Sequence, residues 1–366
     1  MRIAILGLGL MGGSLGLVWQ KRHPDAEIVG FDEPRVMEAA LSRGAIDRGA
    51  VTAEDAVRDA AIVVLATPIS SILTLLERIA PHLSDGGLVT DVGSVKRPIM
   101  EHAVAVLPEG VTFVGGHPMA GSERRGIEHA DSLLFENATY VVCPPPGMDP
   151  VRLTHEHPSF IGLLESTGAR LIVLDPYRHD QIAATVSHLP QLLAVALTDF
   201  AAERNREDEA FLQLAAGGFR DMTRVASSPF DVWRDIIMAN NGPILDALAG
   251  FAAQLQRVRN RVAAEDLDGL ARLFESARQT RDTIPRDTKG FLHPLADVYV
   301  YAEDRPGELL AIARTLHDAG LNIKDIELLK IREGTGGAFR IGFSGPSVAE
   351  AATRALTDAG YTAYRL

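Results

Sequence analysis

At 366 residues the chain exceeds one compact domain, and two or three domains are expected. A formal net charge of −12 excludes a general nucleic-acid binder, which needs a basic face, but leaves room for a few arginines to hold an anionic substrate. The chain is 46% hydrophobic, has no apolar run of membrane-spanning length and carries one cysteine, Cys143; a cytoplasmic globular protein without an intrachain disulfide or membrane contact is expected.

Residues 2–6, 27–31, 61–66, 88–91 and 112–115 read as strands, separated by helical patterns such as 70–80 and 97–106. Nearly continuous apolar strands alternating with helices predict a parallel sheet covered on both faces. Residues 140–143 and 170–173 should extend it, with Pro144-Pro145-Pro146-Gly147 as a break between them. Residues 1–174 thus read as a Rossmann-type α/β domain.

The first strand runs into Gly7-Leu8-Gly9-Leu10-Met11-Gly12, a glycine turn that opens a helix and lets backbone N–H groups approach a pyrophosphate. An ordinary glycine-rich turn has the same composition, but Asp32 ends the second strand, where a carboxylate accepts from a ribose hydroxyl and repels a 2′-phosphate. NAD is therefore the expected cofactor, with Arg35 the one feature that favours NADP. Thr67-Pro68, past the third strand, either lines the cofactor or starts the next helix. Two further strand ends carry polar residues, Asp91-Val92-Gly93-Ser94-Val95-Lys96 and Gly115-Gly116-His117-Pro118. Both project into the same crevice, and the imidazole of His117 beside Ser94 suits removal of a hydroxyl proton near neutral pH.

From 175 to 284 the strand signal vanishes and long helices are expected around 181–200, 243–262 and 267–281. Ser187-His188-Leu189-Pro190-Gln191 lies early in this stretch. Later come Arg220 and Arg224, which either grip an acidic substrate or form surface ion pairs with Asp221 and Asp235. Residues 285–294, with Gly290 and two prolines, read as a linker. Residues 295–366 follow the order βαββαβ: strand 298–302, helix 306–319, strands 322–332 and 338–343 broken at 333–337, helix 348–358 and strand 362–366. That order is the ferredoxin-like module. No metal is expected, because no His, Cys or Asp cluster has ligand spacing; His179, His293 and His317 read as solvated or structural.

The strings GLGLMGGSLG, DVGSVK, GGHPMAGSE, HDQIAATVSHLP and AGGFRDMTRVASSPFDVWRDI resemble, in order, the motifs of the prephenate dehydrogenase family over residues 1–281. The resemblance implies oxidative decarboxylation of prephenate to 4-hydroxyphenylpyruvate. His117 would accept the proton of the ring hydroxyl, Ser94 would support that hydroxyl and the nicotinamide, and Arg224 would hold a carboxylate. His188, Ser228 and Trp233 would help build the pocket, and Glu123 would stand at its mouth. It also implies a homodimer through the helical domain, and the absence of a further N-terminal helical segment suggests a monofunctional enzyme. The family commonly has His where this chain has Gln191, which opens the choice between prephenate and arogenate. It also places Pro one residue beyond Pro229, and Met where Val232 stands.

Asp304-Arg305-Pro306-Gly307 and Asn322-Ile323 resemble the ACT regulatory domain. Gly307 permits close approach of the backbone, the helix begun by Pro306 favours a carboxylate, and Asn322 offers an amide. The implied ligand is L-tyrosine as a feedback inhibitor; the alternative is a module that only dimerises. Among other classes, a β-hydroxyacid dehydrogenase would use a lysine in the helical domain, and residues 175–282 contain none. A non-catalytic amino-acid sensor would not need the set His117, Ser94 and Arg224.

Overall fold

The computed structural model describes residues 1–120, 124–284, 295–332 and 336–365. The expected linker 285–294, residues 333–335 of the expected break at 333–337, His293 and Glu123 lie outside the described residues; Gly336 and Gly337 of that break open a strand instead. Contacts divide the chain into two compact units, Met1–Leu273 and Phe274–Leu366.

The first unit opens with β1 (Arg2–Leu6), α1 (Leu10–Arg22), β2 (Glu27–Phe31), α2 (Pro34–Ser42), β3 (Arg48–Gly49), α3 (Ala53–Val57), β4 (Ile62–Leu65) and α4 (Ile69–Ile79). Then come β5 (Leu88–Asp91), α5 (Arg97–Val106), β6 (Thr112–Pro118), β7 (Thr139–Cys143), α6 (Pro150–Glu156), α7 (Pro158–Ser166) and β8 (Arg170–Val173). The eight strands lie in the order β3-β2-β1-β4-β5-β6-β7-β8, so the order reverses between β1 and β4, and a crevice opens beyond their carboxyl ends. Alternate side chains feed two buried layers: Ile3, Ile5, Ile62 and Val64 on one face, Ala4, Leu6, Val63 and Leu65 on the other.

The sheet departs from the expected parallel pattern at one place: β7 pairs antiparallel with β6. Among the described residues of 119–138 there is no crossover helix, and a parallel partner would need one. This pairing matches His117 with Val141 and so carries β6 through His117, past the expected end at residue 115.

Asp175 then caps α8 (Pro176–Ala183) by accepting from Tyr177 N and Arg178 N, with Pro176 in the first turn where no N–H is needed. A single π turn (Ala184–His188) leads into α9 (Leu189–Asn205). Pro190 lacks an N–H and its ring crowds the preceding turn, so a widened turn replaces the regular helix expected there. The remaining helices are α10 (Ala210–Gln213), α11 (Gly217–Thr223), α12 (Phe230–Ala239), α13 (Asn241–Ala263) and α14 (Leu267–Thr283), with a 3₁₀ turn at Arg224–Ser227. Ile236 of α12 is buried in the core layer beside α4, and Asp235 accepts from Ser70 N at 2.9 Å, which satisfies a free N–H of the first turn of α4. Among the described residues no single helix is long and apolar enough to cross a membrane.

The second unit contains β9 (Ala296–Ala302), α15 (Glu308–Asp318), β10 (Asp325–Arg332), β11 (Gly336–Phe343), α16 (Pro346–Asp358) and β12 (Ala363–Tyr364). Its antiparallel sheet has the order β10-β11-β9-β12. Val298, Val300, Ile341 and Phe343 pack against Ile312, Leu316, Ala352 and Leu356 of the two helices.

Candidate active site

The turn after β1 is shaped for a dinucleotide. Gly7 has φ +98°, and a Cβ on Gly12 would stand 1.9 Å from the Gly7 carbonyl, so the turn closes only with glycine at both places. Gly9 faces open space, and a side chain there would fill the place a pyrophosphate needs. Asp32 accepts from Leu8 N at 2.6 Å and Glu33 N at 2.7 Å, which fixes its carboxylate at the end of β2. Among the described residues the buried Thr67 hydroxyl has no hydrogen-bond partner, and it lines the crevice.

A cavity of about 660 Å³ opens beside this turn. Met11, Thr67, Pro68, Ser94, His117, His188 and Trp233 line it, so the two halves of the first unit share one site. Gln191, Arg224 and Ser228 are not among its lining residues. Arg224 is exposed on its 3₁₀ turn, and Gln191 ties α9 to that turn by donating to the Val225 carbonyl at 2.9 Å. Among the described residues the arginine in the lining is Arg125, which the motif reading passed over, together with the carboxylates Asp231 and Asp235.

Hydrogen bonds fix the roles of the two imidazoles. His117 Nδ1 lies 2.8 Å from His179 Nε2, and His179 Nδ1 lies 2.7 Å from Asp180 Oδ1. A carboxylate only accepts, so His179 carries a proton on Nδ1, and in a neutral ring its Nε2 is bare. With neutral rings His117 must then donate from Nδ1, which leaves His117 Nε2 as an acceptor at the cavity. His188 has the opposite arrangement. The Asn240 amide donates to the Asp180 carbonyl at 2.9 Å and to His188 Nδ1 at 3.1 Å, so His188 carries its proton on Nε2 and is a donor. The indole of Trp233 meets the His188 ring edge-on at 6.0 Å.

Burial, reinforced by His179, Lys96 and His188, holds the His117 imidazole well below the usual histidine range. Burial likewise pushes His188 down to about 4, against a smaller opposing pull from Asp180. Both rings are therefore neutral at neutral pH. In the unfolded chain His188 returns to about 6.5 and takes a proton earlier than the native protein does. Native stability is thus complete above about 6.5 and declines as pH falls towards about 4. A shift of that size corresponds to on the order of 3 kcal/mol. Urea titrations followed by the fluorescence of Trp19 and Trp233 should show a shallower loss on acidification for His188→Gln than for the native chain. Equal slopes would remove His188 as the source.

His179 was expected to be solvated or structural. It is buried and joined to His117, and its partner Asp180 is buried too. The string His179-Asp180 sits within one of the quoted motifs, but nothing in its spacing from His117 announced the contact across 62 residues. Asn240 gave no signal at all. Among the described residues no group of three or more His, Cys, Asp and Glu side chains could hold a metal ion.

Residues 15–173 match the family description "Prephenate dehydrogenase, nucleotide-binding domain", and residues 175–276 match "Prephenate dehydrogenase, dimerization domain". A prephenate dehydrogenase of Bacillus subtilis is 36% identical over 93% of this chain and 91% of its own. The chain belongs to the prephenate dehydrogenase family. Among solved structures, the Aquifex aeolicus prephenate dehydrogenase in complex with hydroxyphenyl propionate and NAD+ is 29% identical, with a TM-score of 0.70 over 77% of this chain and 97% of that one. The Synechocystis arogenate dehydrogenase is 32% identical, with a TM-score of 0.68 over 77% and 99%. The glycine turn at 7–12 precedes the matched residues, so its fit to a dinucleotide stands on the geometry above.

The second unit has a cavity of its own, about 150 Å³, lined among others by Asp304, Arg305, Gly307, Glu308 and Phe339. Gly307 has φ +94° at the start of α15, and Arg305 pairs with the buried Glu308. Pro306, Asn322 and Ile323 are not in its lining.

Proposed function

We propose that this NAD-dependent dehydrogenase converts prephenate to 4-hydroxyphenylpyruvate and carbon dioxide, with His117 as general base. The observation that supports this most is the chain Asp180–His179–His117, which leaves an acceptor nitrogen at a cavity beside the dinucleotide turn. NAD, when bound, supplies the two-electron acceptor. His117 Nε2 takes the proton of the ring hydroxyl as the carbinol C–H bond gives up its electron pair. The ring C–CO₂ bond then breaks, its electrons close the aromatic ring, and the phenolic oxygen recovers the proton. The Ser94 hydroxyl holds the same substrate oxygen, and the His188 Nε2–H donates to a substrate oxygen on the other side. Trp233 and the Met11 side of the crevice form apolar walls that exclude water.

The test is NADH formation with purified protein and either prephenate or arogenate. A second reading, arogenate or dual-specificity cyclohexadienyl dehydrogenase, has one observation in its favour: Asp231 and Asp235 line the cavity and would attract the ammonium group of arogenate. Activity on neither compound would leave the non-catalytic sensor. For the substrate carboxylate, Arg224 is the proposed anchor, and Arg224→Ala should raise KM for prephenate at nearly constant kcat. If Arg125→Ala raises KM and Arg224→Ala does not, the anchor is Arg125, the cation in the lining.

The helical domain is proposed to form a homodimer. Phe211, Met238 and Leu255 are exposed on its helices, and light scattering of the eluted protein tests it. The C-terminal unit is proposed to be a ferredoxin-like ACT domain that binds L-tyrosine as a feedback inhibitor. Its βαββαβ order and the small cavity at Asp304 and Gly307 support this. Calorimetry with L-tyrosine on the intact chain checks it, and absence of heat together with an unchanged NADH assay would remove the regulatory role. The protein is expected to work in the cytoplasm, where Cys143 stays reduced.

A further inference from the structure

Lys96 is buried with no exposed surface, and the reaction above gives it no task. Full burial of an ammonium is rare, and its lost hydration must be offset by good partners. Its Nζ donates to the Asp91 carboxylate and, at 2.6 Å, to the Gly116 carbonyl. The same carboxylate accepts from Gly93 N at 2.8 Å and from Gly116 N at 3.1 Å. Gly93 is the residue before Ser94, and Gly116 is the residue before His117.

The main chain of Lys96 is held as well. Its N–H donates to Asp180 Oδ1 at 2.7 Å, and that oxygen also accepts from Nδ1 of His179, whose other ring nitrogen meets His117. A closed circuit results: Lys96 Nζ to Gly116, along the chain to His117, through His179 and Asp180, and back to Lys96 N. The two glycines before the histidine make room for it. A Cβ on Gly115 would come within 3.2 Å of Lys96 Cδ, and one on Gly116 within 2.3 Å of the Asp91 carbonyl.

We propose that Lys96, paired with Asp91, is a positioning residue that holds His117 and Ser94 in register over the reacting carbon. This rests on His117 being the base. A buried ion pair is a weak source of stability, since apolar or neutral groups of the same shape often serve the fold as well. Here the pair's bonds to the main chain end one residue before each reactive side chain. The ammonium also opposes protonation of His117, as do His179 and His188 from the helical segments, while Asp180 of α8 and Asp91 of β5 bring negative charge to the same region.

The test uses the full chain carrying Asp91→Asn with Lys96→Met, which removes both charges at nearly constant volume, beside His117→Asn and the single Lys96→Met. The double variant should keep its fold and native NAD affinity and lose on the order of 10² in kcat, the scale of a displaced reacting group. The acidic limb of its kcat/KM profile should move to higher pH. The single variant, with Asp91 buried unpaired, should melt lower than the double. If His117→Asn is inactive while the double variant keeps native kcat and the native acidic limb, the proposal is overturned. Loss of NAD affinity or of folding in the double variant would make the pair structural and overturns it equally. An active His117→Asn would instead remove the base assignment.

Discussion

His117→Asn should lower kcat by a factor of about 10²–10⁴ while NAD affinity stays native. The substitution removes the nitrogen proposed to take the hydroxyl proton, but His117 lies on β6 paired with Val141, so the backbone of the site is retained. The dinucleotide turn at Gly7 and Gly12 is built from other residues and should be untouched. The pH profile adds a second reading of the same variant. Protonated His117 cannot accept, and burial holds its imidazole well below 6.5, so native kcat/KM should stay level from neutral pH down through 6.5 and fall only well below it. In the variant that limb should vanish from the residual activity. Steady-state NADH formation against pH and a fluorescence titration of NAD binding measure both. Retention of kcat to within about tenfold would exclude His117 as the base.

His179→Phe should cost on the order of 10² in kcat, because it strips the base of the partner that sets its proton. In the native protein Asp180 fixes the His179 proton on Nδ1, and His179 in turn fixes the His117 proton on Nδ1. Phenylalanine keeps a flat ring and accepts nothing. The His117 N–H is then buried without a partner, and the ring is free to turn or to move its proton to the nitrogen that faces substrate. His179→Gln is the informative companion, since its amide oxygen can accept from His117 Nδ1 and restore the order. Its kcat should recover to within about tenfold of native. Equal losses in the two variants would mean that the ring fills space and does not orient the base.

Much of the first unit was legible because its signals are local. Strand runs of four or five apolar residues and the glycine turn with Asp32 beyond it each state a short-range geometry that no distant contact needs to supply. The π turn at Ala184–His188 was not legible: Pro190 signals trouble in a helix, but whether the chain kinks, ends or widens depends on what packs against it. The cavity shows the same division. Ser94 and His117 could be placed at strand ends from sequence, whereas Arg125 joined the lining and Arg224 did not, a matter of where loops return.

By itself, then, the sequence determined the α/β alternation, the glycine turn after β1, the helical stretch after Asp175 and the imidazole at the end of β6. Each of these follows from backbone preference or hydrophobic period within some twenty residues. Only the tertiary structure decided which nitrogen of that imidazole is bare. The answer depends on a hydrogen-bond chain through His179 and Asp180, residues far along the sequence. Proton placement is set by who donates and who accepts across a fold, and that information has no period along the chain.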